Sequence, residues 1–465
     1  MRYSGAVNCF NTVLVLLLFT MAQQKIAAAT CPCDIYTEAG TPCVAAYSTV
    51  RLLSSTYTGP LYQVRRTSDN ATKDIPILEG GTVANAAVQD SFLGTGAGTI
   101  SKLYDQSGKG NHLTVAKKGS YTGTASQNDK ESNAKGKSIM INGHNAYALY
   151  TNTVEGYRSN QEGYTGYPAV APAANGVPTG NAAQGIYAVV DGARANVGCC
   201  CCFDFGNASL NNAAGATGSM NTLFFGTGYW GKGAGSGPWF LNDMEAGVWA
   251  GGSGASNVTN SNLPSSKFDF AFGLTKTNTT TAPQYAIRVA NGTVNNGATP
   301  SLVTAYNGQA PSTWKMNGGI VLGIGGDNSN SSTGTFYEGC ITAGRPSDKT
   351  DTLIMLNVSA ARYGSSAVAT QNNTNGVLPT SRYSIRYNPS NTSVVIRYTL
   401  QDARLVKMNV YDQKGRQIAL VVNGIVPAGR HDAAWNTKRV PAGVYVCRTA
   451  IDGVGGWSGK IIVGK

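Results

Sequence analysis

From Cys33 to about Tyr363 the chain is a succession of short β-patterned runs cut apart by Gly, Asn and Ser turns. That punctuation constrains the fold more than any other feature. Runs at Ile139 to Ile141, Gly185 to Val190, Phe268 to Phe272, Tyr285 to Val289 and Gly319 to Ile324 are short, apolar and turn-bounded. Such spacing predicts an all-β domain, a sandwich or jelly roll. The 58 glycines, 23 tyrosines and only 13 % charged residues agree with a turn-rich extracellular protein. Cys43 to Ser54 reads as the best helix and Asp351 to Tyr363 as the second. No repeat of fixed period is present. A chain of 465 residues has room for two or three domains.

The ends read differently from the middle. Arg2, the apolar run Thr12 to Ala22 and Ala27-Ala28-Ala29 form an export signal over residues 1–29, with cleavage near Ala29. The apolar run is too short to span a bilayer, and no later segment is a transmembrane candidate. A secreted or cell-surface product of bacterial export is expected. Residues 366–381 are small, polar and uncharged, a linker composition. Residues 382–465 alternate as strands at Val394 to Tyr398, Val406 to Tyr411, Ile418 to Val422, Gly443 to Arg448 and Gly459 to Val463. They predict a small Ig-like β-sandwich. This tail holds 13 Lys/Arg and four Asp, so +9 of the chain's net +12. Its cations are scattered singly along strands, which argues for a solvated face and against nucleic-acid binding.

Export sets the chemistry of the ten cysteines. Cys33 and Cys43 can close a short loop. Cys199 to Cys202 run unbroken, and either a CxxC or an adjacent-residue bridge is open to them. Sequence alone leaves Cys31, Cys199, Cys200, Cys201, Cys202, Cys340 and Cys447 unassigned. Of the three histidines, His112, His144 and His431, none stands in a nucleophile-elbow or HExxH context, so structural roles are expected.

Carboxylates are more informative. In Gly237 to Gly247 a period of two puts Trp239, Leu241, Asp243 and Glu245 on one strand face. Paired carboxylates are costly to bury and are what acid/base chemistry uses. Asp327 follows glycines in Gly323-Ile-Gly-Gly-Asp327, where the backbone can crowd a ligand, although Asp also favours plain turns. These residues, with Trp230 and Trp239 as candidate sugar platforms, sketch a two-carboxylate glycosidase site.

Residues 30–365 resemble the catalytic domain of glycoside hydrolase family 54, the α-L-arabinofuranosidases. The resemblance is carried by Cys33-Asp-Ile-Tyr with Thr41-Pro-Cys43, Tyr104-Asp-Gln-Ser-Gly-Lys-Gly-Asn-His-Leu113 and Gly185-Ile-Tyr-Ala-Val-Val-Asp-Gly192. Further segments are Cys201-Cys-Phe-Asp-Phe-Gly-Asn-Ala208, Trp230 to Trp239, Asp243-Met-Glu245, Gly323 to Asn330 and Gly334-Thr-Phe-Tyr-Glu-Gly339. It implies a jelly-roll, concanavalin-like β-sandwich and a retaining mechanism. Glu245 would be the nucleophile and Asp327 the general acid/base. Asp243, Trp230 and Gly326 would line the arabinose subsite, and Cys201 and Cys202 would form a vicinal disulfide packing on the sugar. Ala246 departs from the family pattern, which has Asn after the nucleophile. The family's second short-loop disulfide has no counterpart, because Ser91 to Ile100 contains no cysteine.

The tail is similar to FlgD-like Ig folds and to type IX sorting domains, through Val410 to Arg416, Val426 to His431, Trp435, Pro441 to Tyr445 and Lys460 to Lys465. That similarity implies the secretion machinery as a partner. The substrate implied is an arabinose-containing plant polysaccharide or oligosaccharide. No cofactor and no metal ion is called for. A non-catalytic carbohydrate-binding or adhesive protein is the competing reading.

Overall fold

Two antiparallel ribbons of strands carry the molecule, and their central strands are runs buried on both faces. The computed structural model describes residues 31–464, apart from 124–125, 165–166, 168–169, 196–200, 229, 279–281, 294–300, 366–382, 389–392, 401–403, 427–428 and 452–453. The expected export signal and linker lie outside the described residues, as do Cys199 and Cys200. No helix among the described residues is long and apolar enough to cross a membrane.

The first ribbon runs Val303–Gln309, Gln284–Asn291, Ala271–Thr277, Gln184–Val190, Gly334–Ala343 and Cys43–Ser48, each antiparallel to the next. The second runs Trp239–Asp243, Asn221–Gly226, Asp204–Ala208, Gly319–Leu322, Tyr157–Ser159 and Leu113–Val115. Both belong to one large, mostly antiparallel sheet system. Where the ribbons face each other, aromatic rings fill the space. Phe240 packs at a tilt against Phe225 with ring centroids 4.6 Å apart, and Gly273 of the first ribbon is glycine because a Cβ there would overlap the Phe240 ring.

The central strands Gln184–Val190 and Ala271–Thr277 are buried along their whole length, so their outer faces also need a cover. The helix Asp348–Ala360 supplies it, packing Ile354, Met355 and Val358 against Tyr187, Val189, Phe272 and Tyr337. Ser347 caps this helix by accepting the Thr350 N–H at 3.1 Å. Buried charge pins it to the sheet. Lys276, 2 % exposed, reaches Asp351 at 2.6 Å, and Arg288 reaches the same carboxylate at 2.8 Å. Close by, Glu338 of the Gly334–Ala343 strand takes both Arg51 and the hydroxyls of Tyr187 and Tyr363.

The helix read at Asp351 to Tyr363 is present, shifted to Asp348–Ala360. The helix read at Cys43 to Ser54 is not. Cys43–Ser48 is a fully buried strand paired with Gly334–Ala343, Ala46 opposite Cys340 and Ser48 opposite Glu338. A short apolar run does not reveal its period, and here burial on both faces selected the strand. The helix lies just before it, at Pro32–Glu38, with Pro in its first turn and Asp34 accepting the Cys31 N–H at 2.8 Å. Cys33 and Cys43 are joined across this helix–strand pair, with Cα atoms 5.4 Å apart.

Beyond residue 382 the strands pair only among themselves. Tyr383–Asn388, Ser393–Leu400 and Gly429–Asn436 make a three-stranded sheet. Gln417–Val426, Arg404–Tyr411, Gly443–Ile451 and Val454–Val463 make a four-stranded one. They share a separate core that includes Val394, Ile396, Val406, Met408, Trp435 and Ile461. In Ser393–Leu400 buried and half-buried residues alternate strictly, the period-two pattern its sequence predicts.

Removing one partner of a buried ion pair leaves the other charge stranded. Asp351→Ala is therefore expected to destabilise the fold by about 3–5 kcal/mol, measured by urea unfolding, because Lys276 and Arg288 both lose their buried partner. A well-packed Lys276→Met, Asp351→Leu double variant should recover part of that loss. An Asp351→Ala variant as stable as the parent would mean that the pair does not hold the helix.

Candidate active site

The strand Trp239–Asp243 delivers the first carboxylate. Its register sets Asp243 opposite Thr222 on one side and Val248 on the other. There the strand stops. Met244 N–H meets the Gly247 carbonyl at 3.3 Å, and the Glu245 N–H turns back onto Asp243 Oδ1 at 2.8 Å. Glu245 and Ala246 take left-handed backbone, with φ of +64° and +52°. The strand-face reading of Asp243 with Glu245 is thus corrected: Glu245 sits in a tight turn after the strand. Left-handed non-glycine residues each cost about 1–2 kcal/mol. Surrounding contacts have to hold them, and such strain collects at functional sites.

Asp327 arrives on the loop after Gly319–Leu322. Its Oδ1 accepts the Ser329 N–H at 2.9 Å, and Gly325 N–H closes on the Ser329 carbonyl at 3.0 Å. The Asx turn is real, and it also presents the residue to the cavity. Turn residue and site residue are one.

The turn and the loop meet in a cavity of about 470 Å³. All but one of the site residues singled out from the sequence line it: Asp243, Glu245 and Ala246 from the turn, Gly326 and Asp327 from the loop, with Cys201, Cys202 and Trp230 completing the wall. Cys201 and Cys202 are joined to each other. Asp243 Oδ2 lies 3.5 Å from Cys202 Sγ and 3.8 Å from Cys201 Sγ. Gly326 explains itself sterically, since a Cβ there would stand 2.5 Å from Glu245 Oε2 and 2.9 Å from Met220 Sδ. Trp239 is not a sugar platform. It is buried in the core and its Nε1–H donates to the Ala234 carbonyl at 2.9 Å. His112 is structural, its Nδ1 accepting the Asp105 N–H at 3.0 Å.

Two residues at the site escaped the sequence reading. Arg158, 2 % exposed, lies under the Asp327 loop. Its Nη1 donates to the Gly326 carbonyl at 2.9 Å and its Nη2 to the Ser209 carbonyl at 2.5 Å. Burial pushes its pKa down to about 10, against the opposing pull of Tyr164, Glu245 and Asp327. The other is Asp204, fully buried behind Asp243. Its one sequence signal was a charge at the start of a short run, Asp204 to Ala208, that is buried throughout.

Negative charge is crowded here. Burial first, then Asp243 and Asp327, push Glu245 up to about 8, and Arg158 only partly opposes them. Burial raises Asp243 to about 7. Among the described residues, Cys201, Cys202, Asp204 and Asp243 gather their donor atoms within 4.8 Å of one another, as do Cys33, Cys43 and Cys340. In both groups two sulfurs are tied in a disulfide and are not thiolate ligands.

Comparison with known proteins identifies the family. The family model described as "Alpha-L-arabinofuranosidase B, catalytic" matches residues 32–364. A probable alpha-L-arabinofuranosidase B of Aspergillus fumigatus is 43 % identical over 386 residues, covering 82 % of this chain and 70 % of its own. A solved GH54 α-L-arabinofuranosidase soaked with a cyclic sulfate inhibitor is 38 % identical with a TM-score of 0.64, covering 80 % of this chain and 73 % of that one. An arabinofuranosidase complexed with arabinofuranosyl-α-1,2-xylobiose matches at 36 % identity, with the same TM-score and coverage. The chain belongs to the α-L-arabinofuranosidases of glycoside hydrolase family 54.

Proposed function

We propose that this α-L-arabinofuranosidase removes terminal arabinofuranose from side chains of plant hemicellulose or pectin, with retention of configuration. The observation that carries the mechanism is two carboxylates, Glu245 and Asp327, brought from separate elements to one cavity, with Gly326 leaving the space beside Glu245 open. Glu245 attacks the anomeric carbon while Asp327 gives its proton to the leaving oxygen, forming a glycosyl ester. Asp327 then takes a proton from water, which displaces Glu245 and releases arabinose. Asp243, Trp230, Gly326 and Ala246 line the sugar subsite, and the Cys201–Cys202 disulfide packs against the ring. The related enzyme bound to arabinofuranosyl-α-1,2-xylobiose supports an arabinofuranosyl oligosaccharide as substrate. A non-catalytic carbohydrate-binding protein has no use for both carboxylates.

We further propose a jelly-roll, concanavalin-like sandwich for residues 30–365, an Ig-like sandwich for 382–465 joined through 366–381, and secretion after loss of residues 1–29. The tail would engage the export machinery. Deletion of residues 382–465 should then trap the enzyme inside the cell, and unchanged export of the truncated form would sink that role.

One observation favours the reverse assignment of the two carboxylates, because Glu245, held up to about 8, is the better proton carrier in the free site. Azide separates the two. With an aryl α-L-arabinofuranoside, Glu245→Gly plus azide should yield the inverted glycosyl azide and Asp327→Gly plus azide the retained one. Loss of Asp327 alone is expected to cost about 100- to 10,000-fold in turnover of poor leaving groups. Interchanged azide anomers would exchange the roles.

The pH profile gives a second check. An ionised nucleophile is required, so activity of the free enzyme falls as pH drops through the Glu245 pKa. Asp243 is one of the charges raising that pKa. Asp243→Asn should therefore move the acidic limb of kcat/KM to lower pH, by about one unit. Movement of the alkaline limb instead would mark Glu245 as the proton donor.

A further inference from the structure

Asp204 has no place in the mechanism above, yet it stands directly behind the sugar-facing wall. It opens the strand Asp204–Ala208 and is 1 % exposed. Among the described residues no backbone N–H reaches its carboxylate oxygens, and the side chains beside them are the Asp243 carboxyl and the Thr222 hydroxyl. Strand register sets Asp204, Thr222 and Asp243 on one face, Asp204 opposite Phe224 and Asp243 opposite Thr222. A carboxylate oxygen of Asp204 lies within 4.8 Å of one of Asp243.

The groups facing this pair are few. Thr222 offers one hydroxyl, which has no other partner. Glu245 and Asp327 bring no positive charge to it. The disulfide of Cys201 and Cys202 is neutral. The one buried cation of the site, Arg158, directs both terminal nitrogens to carbonyls. Two ionised carboxylates at this range, out of water and with no cation on them, repel strongly, and one bound proton removes the conflict.

The proton has a preferred owner. Asp243 Oδ1 already accepts the Glu245 N–H at 2.8 Å, and such a bond favours an ionised acceptor. Asp204 accepts nothing from the backbone. We propose that Asp204 is a positioning residue: a neutral carboxylic acid at neutral pH that shares its proton with Asp243 and so fixes Asp243 as a singly charged acceptor for a sugar hydroxyl. Burial and mutual charge act in the same direction, with Asp204 well above the usual carboxylate range. A proton fits better than a cation, because two oxygens fall short of the six or more that a hard divalent ion takes. The kinetic part rests on Asp243 lining the sugar subsite, whereas the protonation stands without it.

The test uses the full-length enzyme and two variants. Asp204→Asn keeps the shape and supplies a permanent N–H donor, whereas Asp204→Leu keeps bulk and removes the donor. Infrared difference spectra at neutral pD should show the C=O stretch of a protonated carboxylic acid in the parent and its loss in Asp204→Asn. On an aryl α-L-arabinofuranoside, Asp204→Asn should stay within about fivefold of the parent in kcat/KM, and Asp204→Leu should lose about 10- to 100-fold. Dialysis against EDTA should change nothing. The proposal is overturned by an absent acid band, by Asp204→Asn as impaired as Asp204→Leu, or by EDTA-sensitive activity. Should Asp204→Leu not fold, the infrared comparison with Asp204→Asn still decides. Because the spectrum is independent of turnover, failure of the mechanistic reading and failure of this one are distinguishable.

Discussion

The constraint on which the site depends is negative charge concentrated above one buried cation among the described residues. Asp204, Asp243, Glu245 and Asp327 approach one cavity, and Arg158 beneath them is committed to the Gly326 and Ser209 carbonyls. Carboxylates held so closely repel, so the backbone must hold them in place. It does so by local means: the left-handed turn at Glu245 and Ala246, the Asx turn at Asp327, and Ser209 with Arg158 on one carbonyl oxygen. Burial and the same crowding raise the proton affinity of Asp204, Asp243 and Glu245, which suits carboxyl groups to proton transfer near neutral pH.

Precise placement of opposed charges requires a stiff support. The second ribbon is clamped between the cavity and the first ribbon by rings such as Phe225 and Phe240. The first ribbon is closed on its far side by the helix Asp348–Ala360. Buried ion pairs add little net stability compared with apolar packing, but they have a definite geometry. Asp351 binds Lys276 and Arg288, and Glu338 binds Arg51, Tyr187 and Tyr363, on the side of the sheet away from the cavity. The positive charges that could have neutralised the site are thus used in the scaffold, which leaves the carboxylates at the cavity under-compensated.

Much of this was legible in the sequence, and the limits have physical causes. The alternation of Ser393–Leu400 was readable because period and burial coincide, and Gly185 to Val190 because Ile, Tyr and Val fill a short, turn-bounded run. Cys43–Ser48 was not, since an apolar stretch buried on both faces carries no period to read. At the site, Glu245 and Asp327 were readable as acids next to glycines, but their conformations were not: a strand pattern continued through Glu245 until the left-handed turn broke it. Trp239 looked like a platform and proved to be core, because an indole with a carbonyl partner can be buried whole. Arg158 and Asp204 were invisible for the opposite reason. Each is a single charge in a short buried strand, and its meaning comes from strands far away in sequence.

The cysteine pair at the cavity fits the same electrostatic frame. Asp243 Oδ2 lies within 4 Å of both sulfurs. Two free thiols there would be able to ionise only by adding charge beside carboxylates that already repel, and burial would oppose it further. Joined to each other, Cys201 and Cys202 do not titrate, and they offer a polarisable, uncharged surface. A sugar ring has apolar C–H faces as well as hydroxyls, so a wall that is neutral at the sulfurs and negative at the carboxylates can address both. Aromatic rings commonly provide such an apolar wall, but here Trp239 is committed to the core. The vicinal pair beside Trp230 lines the cavity with an uncharged surface next to its carboxylates.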